Sequence, residues 1–442
     1  MSLKKIPKLI IIGFLGAVLW VALVLVLGAV SERSERRAEV YKDMDQTTAG
    51  SQILAGPMLA LPYELQSSIT TVDETGAKKI QLETTRHVQL ILPKTLTING
   101  NLSAESRYRS LYEILLYGAQ LKMEGSFDFQ EPKDIVVPSG STLRRLPPYL
   151  VVLVRDSRGL VSLPSVTWNS APLPVKPGHG GVNLELEGGF HADLPSEVQA
   201  GGNFTFTLDM ALRGTQSLSW VPVAEETTVN LRANWPHPSF QGSALPTSHQ
   251  ITRDGFEAKW ESTHFSTNIA RLATNPVPEG SLRKQDIGLK LIQPIDIYVQ
   301  TERSVKYGFL FIFLTFAAFL IFETLKQLSI HPIQYTFVGL ALVLFYVLLL
   351  ALSEHIAFAW AYAIASLACV SLLGFYIRYV VHSWKHSMGF AAGIGVLYGV
   401  IYGILICEDY ALLYGACLLF ALLAGAMIVT RHVRWNELKP VE

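Results

Sequence analysis

The first apolar run, LIIIGFLGAVLWVALVLVLGAV at residues 9–30, follows Lys4, Lys5 and Lys8. A helix needs about 20 apolar residues to cross a bilayer core, whereas the apolar part of a cleavable signal has about 7–15. The run therefore predicts a retained anchor, and no small-x-small cleavage site or lipid-accepting cysteine follows it. Five further apolar runs crowd the C-terminal third, at 307–325, 333–352, 356–377, 388–406 and 411–429. Runs of this length with such short connections predict five more spans, six in all.

The long segment between the first and second runs has another period. It opens on SERSERRAEVYKDMDQTTAG, whose charged early part extends the first helix by two to four turns, until Gly50, Gly56, Pro57 and Pro62 change the structure. Alternation then takes over: Phe204, Phe206, Leu208, Met210 and Leu212 share one strand face, as do Val229, Leu231 and Ala233, and Phe256, Ala258 and Trp260. With HVQLIL, GSFDF and YLVVLV added, the pattern predicts a mainly antiparallel β domain, one sandwich or two smaller β subdomains. A last strand is expected in IGLKLIQPIDIYVQ at 287–300, leading through 301–306 into the second span. The fold class expected is thus a polytopic α-helical membrane protein with six transmembrane helices and a large extracytoplasmic, mainly antiparallel β domain between helices one and two. Its parts are residues 1–30 (N-terminus and anchor), 31–304 (β domain), 305–430 (five-helix domain) and 431–442 (tail).

Composition agrees with lipid exposure: half of the residues are hydrophobic and 16% are charged. Lys plus Arg and Asp plus Glu are 36 each, so no global field draws in nucleic acid. Placement says more. Lys4, Lys5, Lys8, Lys326, Arg378, Lys385, Arg431, Arg434 and Lys439 fall on one side of the expected spans, and the turns at Glu354–His355 and Glu408–Asp409 on the other. The positive-inside rule then puts both termini in the cytoplasm and the β domain outside it, in a bacterium the periplasm. Cys369, Cys407 and Cys417 all lie in the apolar last quarter, so the outer segment has neither disulfides nor cysteine chemistry.

The motifs of catalysis are missing: there is no HExxH, Walker A loop, GxSxG elbow, GxGxxG or CxxC. No cofactor or metal is expected. In NWPHPSFQG, Pro236 and Pro238 stiffen the backbone around His237 between Trp235 and Phe240. These three residues form a recognition surface or a rigid connection whose Trp plugs the β core. Glu323, near the end of its run, needs a partner; Lys326 at i+3 and His331 across the turn are candidates for an interfacial clamp. Glu354 and His355 form an ordinary polar turn or couple the helices to the outer domain through residues 301–306. Gly395, Gly399 and Gly403 share a helix face suited to close packing, within the chain or with a second copy in a homo-oligomer.

SERSERR, NWPHPSFQG, DIYVQTERSVKYGFLFIFLTF, HPIQYTFVGLALVLFYVLLLALSEH and the final His- and Arg-bearing tail resemble the CreD family of inner-membrane proteins of Gram-negative bacteria, over essentially the whole chain. That resemblance implies a part in cell-envelope integrity and envelope stress, with altered tolerance to a colicin, under a two-component regulatory system. It supplies no reaction and no catalytic residues. The expected function is non-enzymatic: the outer domain recognises an envelope protein, lipid or glycan, while membrane lipids surround the helices. The competing reading is a membrane-embedded envelope-modifying enzyme or a transporter.

Overall fold

The computed structural model describes residues 6–72, 78–109, 112–131, 135–182, 185–267, 285–293, 297–326, 330–406 and 411–431. The chain divides into two compact units, Met1–Glu39 with Ile295–Glu442, and Val40–Pro294.

The first unit is helical. Its helices are α1 (Ile6–Met44), α2 (Ile297–Lys326), α3 (Pro332–Ser353), α4 (Phe358–Val381), α5 (Trp384–Ile406) and α6 (Ala411–Thr430). Their buried residues recur at helical spacing: Leu19, Leu23, Val26 and Val30 in α1, and Tyr335, Val338, Leu342, Phe345 and Leu349 in α3. The opposite faces stay apolar too, with Phe14, Leu25, Phe313, Phe337, Leu367 and Phe375 exposed. An apolar exterior around an apolar interior suits lipid as the solvent.

Among the described residues five helices, α1 to α5, are long and apolar enough to cross a membrane, which corrects the expected six. The sixth run forms α6, whose described apolar stretch is Leu413–Gly425.

The second unit is β. Its strands are β1 (Gln52–Val72), β2 (Lys78–Ile91), β3 (Thr95–Arg109), β4 (Tyr112–Gln130), β5 (Ser141–Arg145), β6 (Tyr149–Val154), β7 (Ser165–Trp168) and β8 (Ala171–Leu173). There follow β9 (Val175–Pro177), β10 (Gly188–Asp193), β11 (Gly201–Thr215), β12 (Ser217–Val221), β13 (Glu226–Ala233), β14 (Pro238–Gly242), β15 (Ser248–Ile251), β16 (Phe256–Thr263) and β17 (Ile287–Leu291). One sheet runs β14-β17-β12-β1-β6-β10-β9, with β2 and β5 also on β1; the other runs β15-β16-β13-β3-β4-β11-β7-β8. The sheets are mixed: β1 pairs β12, and β3 pairs β13, in parallel. Both sheets feed one core, where Trp220 of the first meets Trp260 of the second edge to face at 5.2 Å.

The expected strand at 287–300 stops at Leu291, and helix is already present from Ile297. Tyr298, Thr301 and Val305 are buried at three- and four-residue spacing, a helical period that the alternating letters of IDIYVQ concealed. At the other boundary α1 continues to Met44 and a π-turn, Asp45–Ala49, ends it. Tyr41 donates to the Glu113 carbonyl at 3.0 Å, Arg109 pairs with Asp43 at 2.6 Å, and Arg158 donates to the Asp45 carbonyl at 3.3 Å.

Candidate functional site

Glu354 lies in the turn after α3, where Ser353 is buried and His355 exposed. Its carboxylate is 3.6 Å from Nε of Arg33, about seven-tenths of the way along α1, and accepts from the Tyr298 hydroxyl at 3.5 Å, at the start of α2. One carboxylate thus touches both helices through which the chain passes to and from the β unit. Its side chain is 11% exposed. A group so covered interacts more strongly than a surface ion pair and costs more when a partner is removed. In the 301–306 segment, Glu302 and Lys306 pair with each other at 2.7 Å. Arg33 and Tyr298 were missed in the sequence because neither is adjacent to Glu354 along the chain, and continuation of α1 past residue 30 was the one signal pointing to Arg33.

At the other end of the bundle Lys8 forms an ion pair with Glu323 and donates to the Ile330 carbonyl at 2.6 Å. The Tyr335 hydroxyl donates to the other Glu323 oxygen at 2.8 Å, its ring edge-on to Phe316 and Phe319. Helices α1, α2 and α3 are thereby joined at one carboxylate. His331 instead caps α3: its Nδ1 accepts from the Ile333 N–H at 3.3 Å, while Gln334 Oε1 accepts from the His331 N–H at 3.0 Å. Pro332 at the first helical position completes the start. The Lys326 side chain lies outside the described residues.

In the β unit, NWPHPSFQG carries the chain from β13 in one sheet to β14 in the other. Asn234 accepts from the Ala104 N–H at 2.7 Å, and the Trp235 indole donates to the Ile292 carbonyl at 2.9 Å. Phe240 packs between Phe256, Trp260 and His249, with ring centroids 5.9, 5.5 and 5.2 Å away. His237 is exposed, 6.2 Å from Trp235 between ring centres. Trp235 and Phe240 are therefore held from beneath, and only His237 of the three points freely outward.

No heavy atom lies within 4 Å of a Cβ built on Gly395, Gly399 or Gly403. Close approach occurs elsewhere: a Cβ on Gly339 would collide with Leu19 and Phe316, and one on Gly308 would press on Tyr346. These two glycines lack an i+4 partner, so their spacing carried no signal. Among the described residues no group of three His, Cys, Asp or Glu side chains is placed to hold a metal ion.

Comparison with known proteins follows the same outline. The family model described as "Inner membrane protein CreD" matches residues 4–436. Inner membrane protein CreD of Escherichia coli strain K12 is 35% identical over 423 residues, 95% of this chain and 92% of the relative. Among solved structures, a candidate nutrient-binding protein of Legionella pneumophila overlaps 47% of this chain and 70% of its own, at 10% identity and a TM-score of 0.26. An M1 zinc metallopeptidase of Deinococcus radiodurans overlaps 38% of each chain at 8% identity, with a TM-score of 0.16. Likenesses this slight carry no argument.

Proposed function

The chain belongs to the CreD family of multi-pass inner-membrane proteins, and from that premise we propose that it supports cell-envelope integrity by binding rather than catalysis. The β unit recognises an envelope component, and the helices fix the points from which it departs. The observation that carries this reading is Glu354, which holds Arg33 of α1 and Tyr298 of α2 on one carboxylate. Lys8 at the start of α1, and Arg378 and Lys385 around the α4–α5 turn, orient the N-terminus toward the cytoplasm and the β unit toward the periplasm.

The test uses cells lacking the protein and measures uptake of a dye that an intact envelope excludes. The full chain is expected to restore exclusion, and a chain with residues 40–294 replaced by a short linker to fail despite equal membrane abundance. Restoration by the shortened chain would sink the proposal. Reporter fusions after residue 30, after residue 383 and at the C-terminus read the orientation; cytoplasmic activity after residue 30 would reverse it.

A further inference from the structure

In the eight-stranded sheet, alternation sends Ile98, Leu121, Leu208 and Leu231 into the core and their neighbours outward. The outward residues fall into register across six strands. One row reads Asp209 (β11), Lys122 (β4), Asn99 (β3), Asn230 (β13), Lys259 (β16) and Ser248 (β15). The next reads Gln120, Asn101, Arg232, Glu257 and Gln250. Together they line a concavity of about 770 Å³, within the range of small-ligand sites. Six strands at about 4.8 Å spacing make it about 24 Å long, a shape for a chain-like ligand.

The chemistry of the floor narrows the occupant. Each cation has its own carboxylate: Arg232 with Glu257 at 3.2 Å, Lys122 with Glu124 at 2.6 Å, and Lys259 with Glu261 at 2.5 Å. A phosphate or an anionic headgroup would meet a neutralised surface. Apart from Asp209 at one end of the rows and Ser248 and His249 at the other, what remains is amide: Asn230 donates to Asn99 at 2.9 Å and orders the centre. Among the described residues, Asn101, Gln120 and Gln250 make no side-chain hydrogen bond. An amide offers a donor and an acceptor together, as a hydroxyl does, so a ladder of amides matches a ladder of hydroxyls. An extended peptide would instead pair with a sheet edge, not lie across its face.

We propose that this face binds a neutral oligosaccharide laid across the strands, with Asn101 and Gln120, cross-strand partners in β3 and β4, as principal contacts. The inference rests on the reading that the β unit recognises an envelope component, and names its chemical class. The full-length protein in lipid nanodiscs is titrated calorimetrically with chitotetraose and maltotetraose as neutral probes and tetragalacturonate as the anionic one. At least one neutral probe is expected to bind, and N101A/Q120A to weaken it about tenfold or more while the unfolding temperature is unchanged. Absence of binding by both neutral probes to about 1 mM, affinity unchanged in N101A/Q120A, or preference for tetragalacturonate would overturn it. A photo-crosslinker at Arg232 in living cells separates the two readings. Capture of an envelope component other than a neutral glycan, unaffected by N101A/Q120A, would defeat this inference and leave recognition by the β unit standing.

Discussion

The two units solve the same problem in opposite solvents. In β13, Val229 and Leu231 are buried while Arg232 points outward; in α4, Ala365 and Cys369 are buried and Leu367 and Phe375 are exposed. Charge pairs follow the inversion. Lys94 and Asp128 pair at 2.6 Å with about half of each side chain exposed, whereas the Glu323 of the Lys8 pair is 16% exposed. Burial of apolar surface from water drives the β core together. Between membrane helices that drive is absent, since lipid is as apolar as leucine, and close packing and polar links carry the association. Hence Gly308, Gly339 and the Glu323 cluster matter in the bundle, while large side chains such as Trp220 and Trp260 dominate the β core.

If the comparison is right, Trp260→Ala has the largest effect, a loss of about 3–5 kcal/mol confined to the β unit. Hydrogen exchange on the intact protein reads it as faster exchange in both sheets with the helices unchanged. Glu323→Ala leaves Lys8 and the Tyr335 hydroxyl without their acceptor and costs about 1.5–3 kcal/mol in the bundle. Glu323→Gln recovers part of this by keeping an acceptor for Tyr335, and thermal unfolding in detergent should rank wild type, Gln, then Ala. Gly339→Ala forces a methyl group toward Leu19 and Phe316, for about 1–3 kcal/mol. Gly395→Ala, meeting open space, stays within about 0.5 kcal/mol; equal effects of the two would refute the assignment of close packing to Gly339.

The smallest effect concerns pH. Arg158 beside Asp156 holds that carboxyl below its usual range, chiefly by a direct hydrogen bond. A depressed folded value means the stabilisation is present above the unfolded value of about 3.9 and is lost as pH falls through the folded one. Asp156→Asn should remove this acid-side component, shrinking the stability difference between pH 7 and pH 3; an unchanged profile would exclude the contribution. The Arg158 side chain is 56% exposed, so solvent screens the pair and the change is modest.

Some of the site was legible and some was not. Glu323 announced a need for a partner because an ionised carboxylate in lipid is costly, but no local pattern named Lys8, which lies 315 residues away. NWPHPSFQG stood out for its prolines, yet its task of crossing between sheets depends on Ala104 and Ile292, which no local pattern connects to it. Gly395, Gly399 and Gly403 had the conspicuous spacing, and the isolated Gly308 and Gly339 had the contacts. The polar rows across the eight-stranded sheet were invisible, because each strand offers only one or two of their members.

By itself the sequence determined what each stretch of chain does with its own solvent. Run length separates lipid-spanning helix from the rest, two-residue alternation picks out the strand faces, and proline and glycine end the elements, all of them properties of neighbouring residues. Tertiary structure alone decided strand order, the parallel pairs β1–β12 and β3–β13, and which residues meet at Glu354 and Glu323. Pairing between distant segments depends on the joint burial and register of both partners, and a pattern within one segment holds information about only one of them.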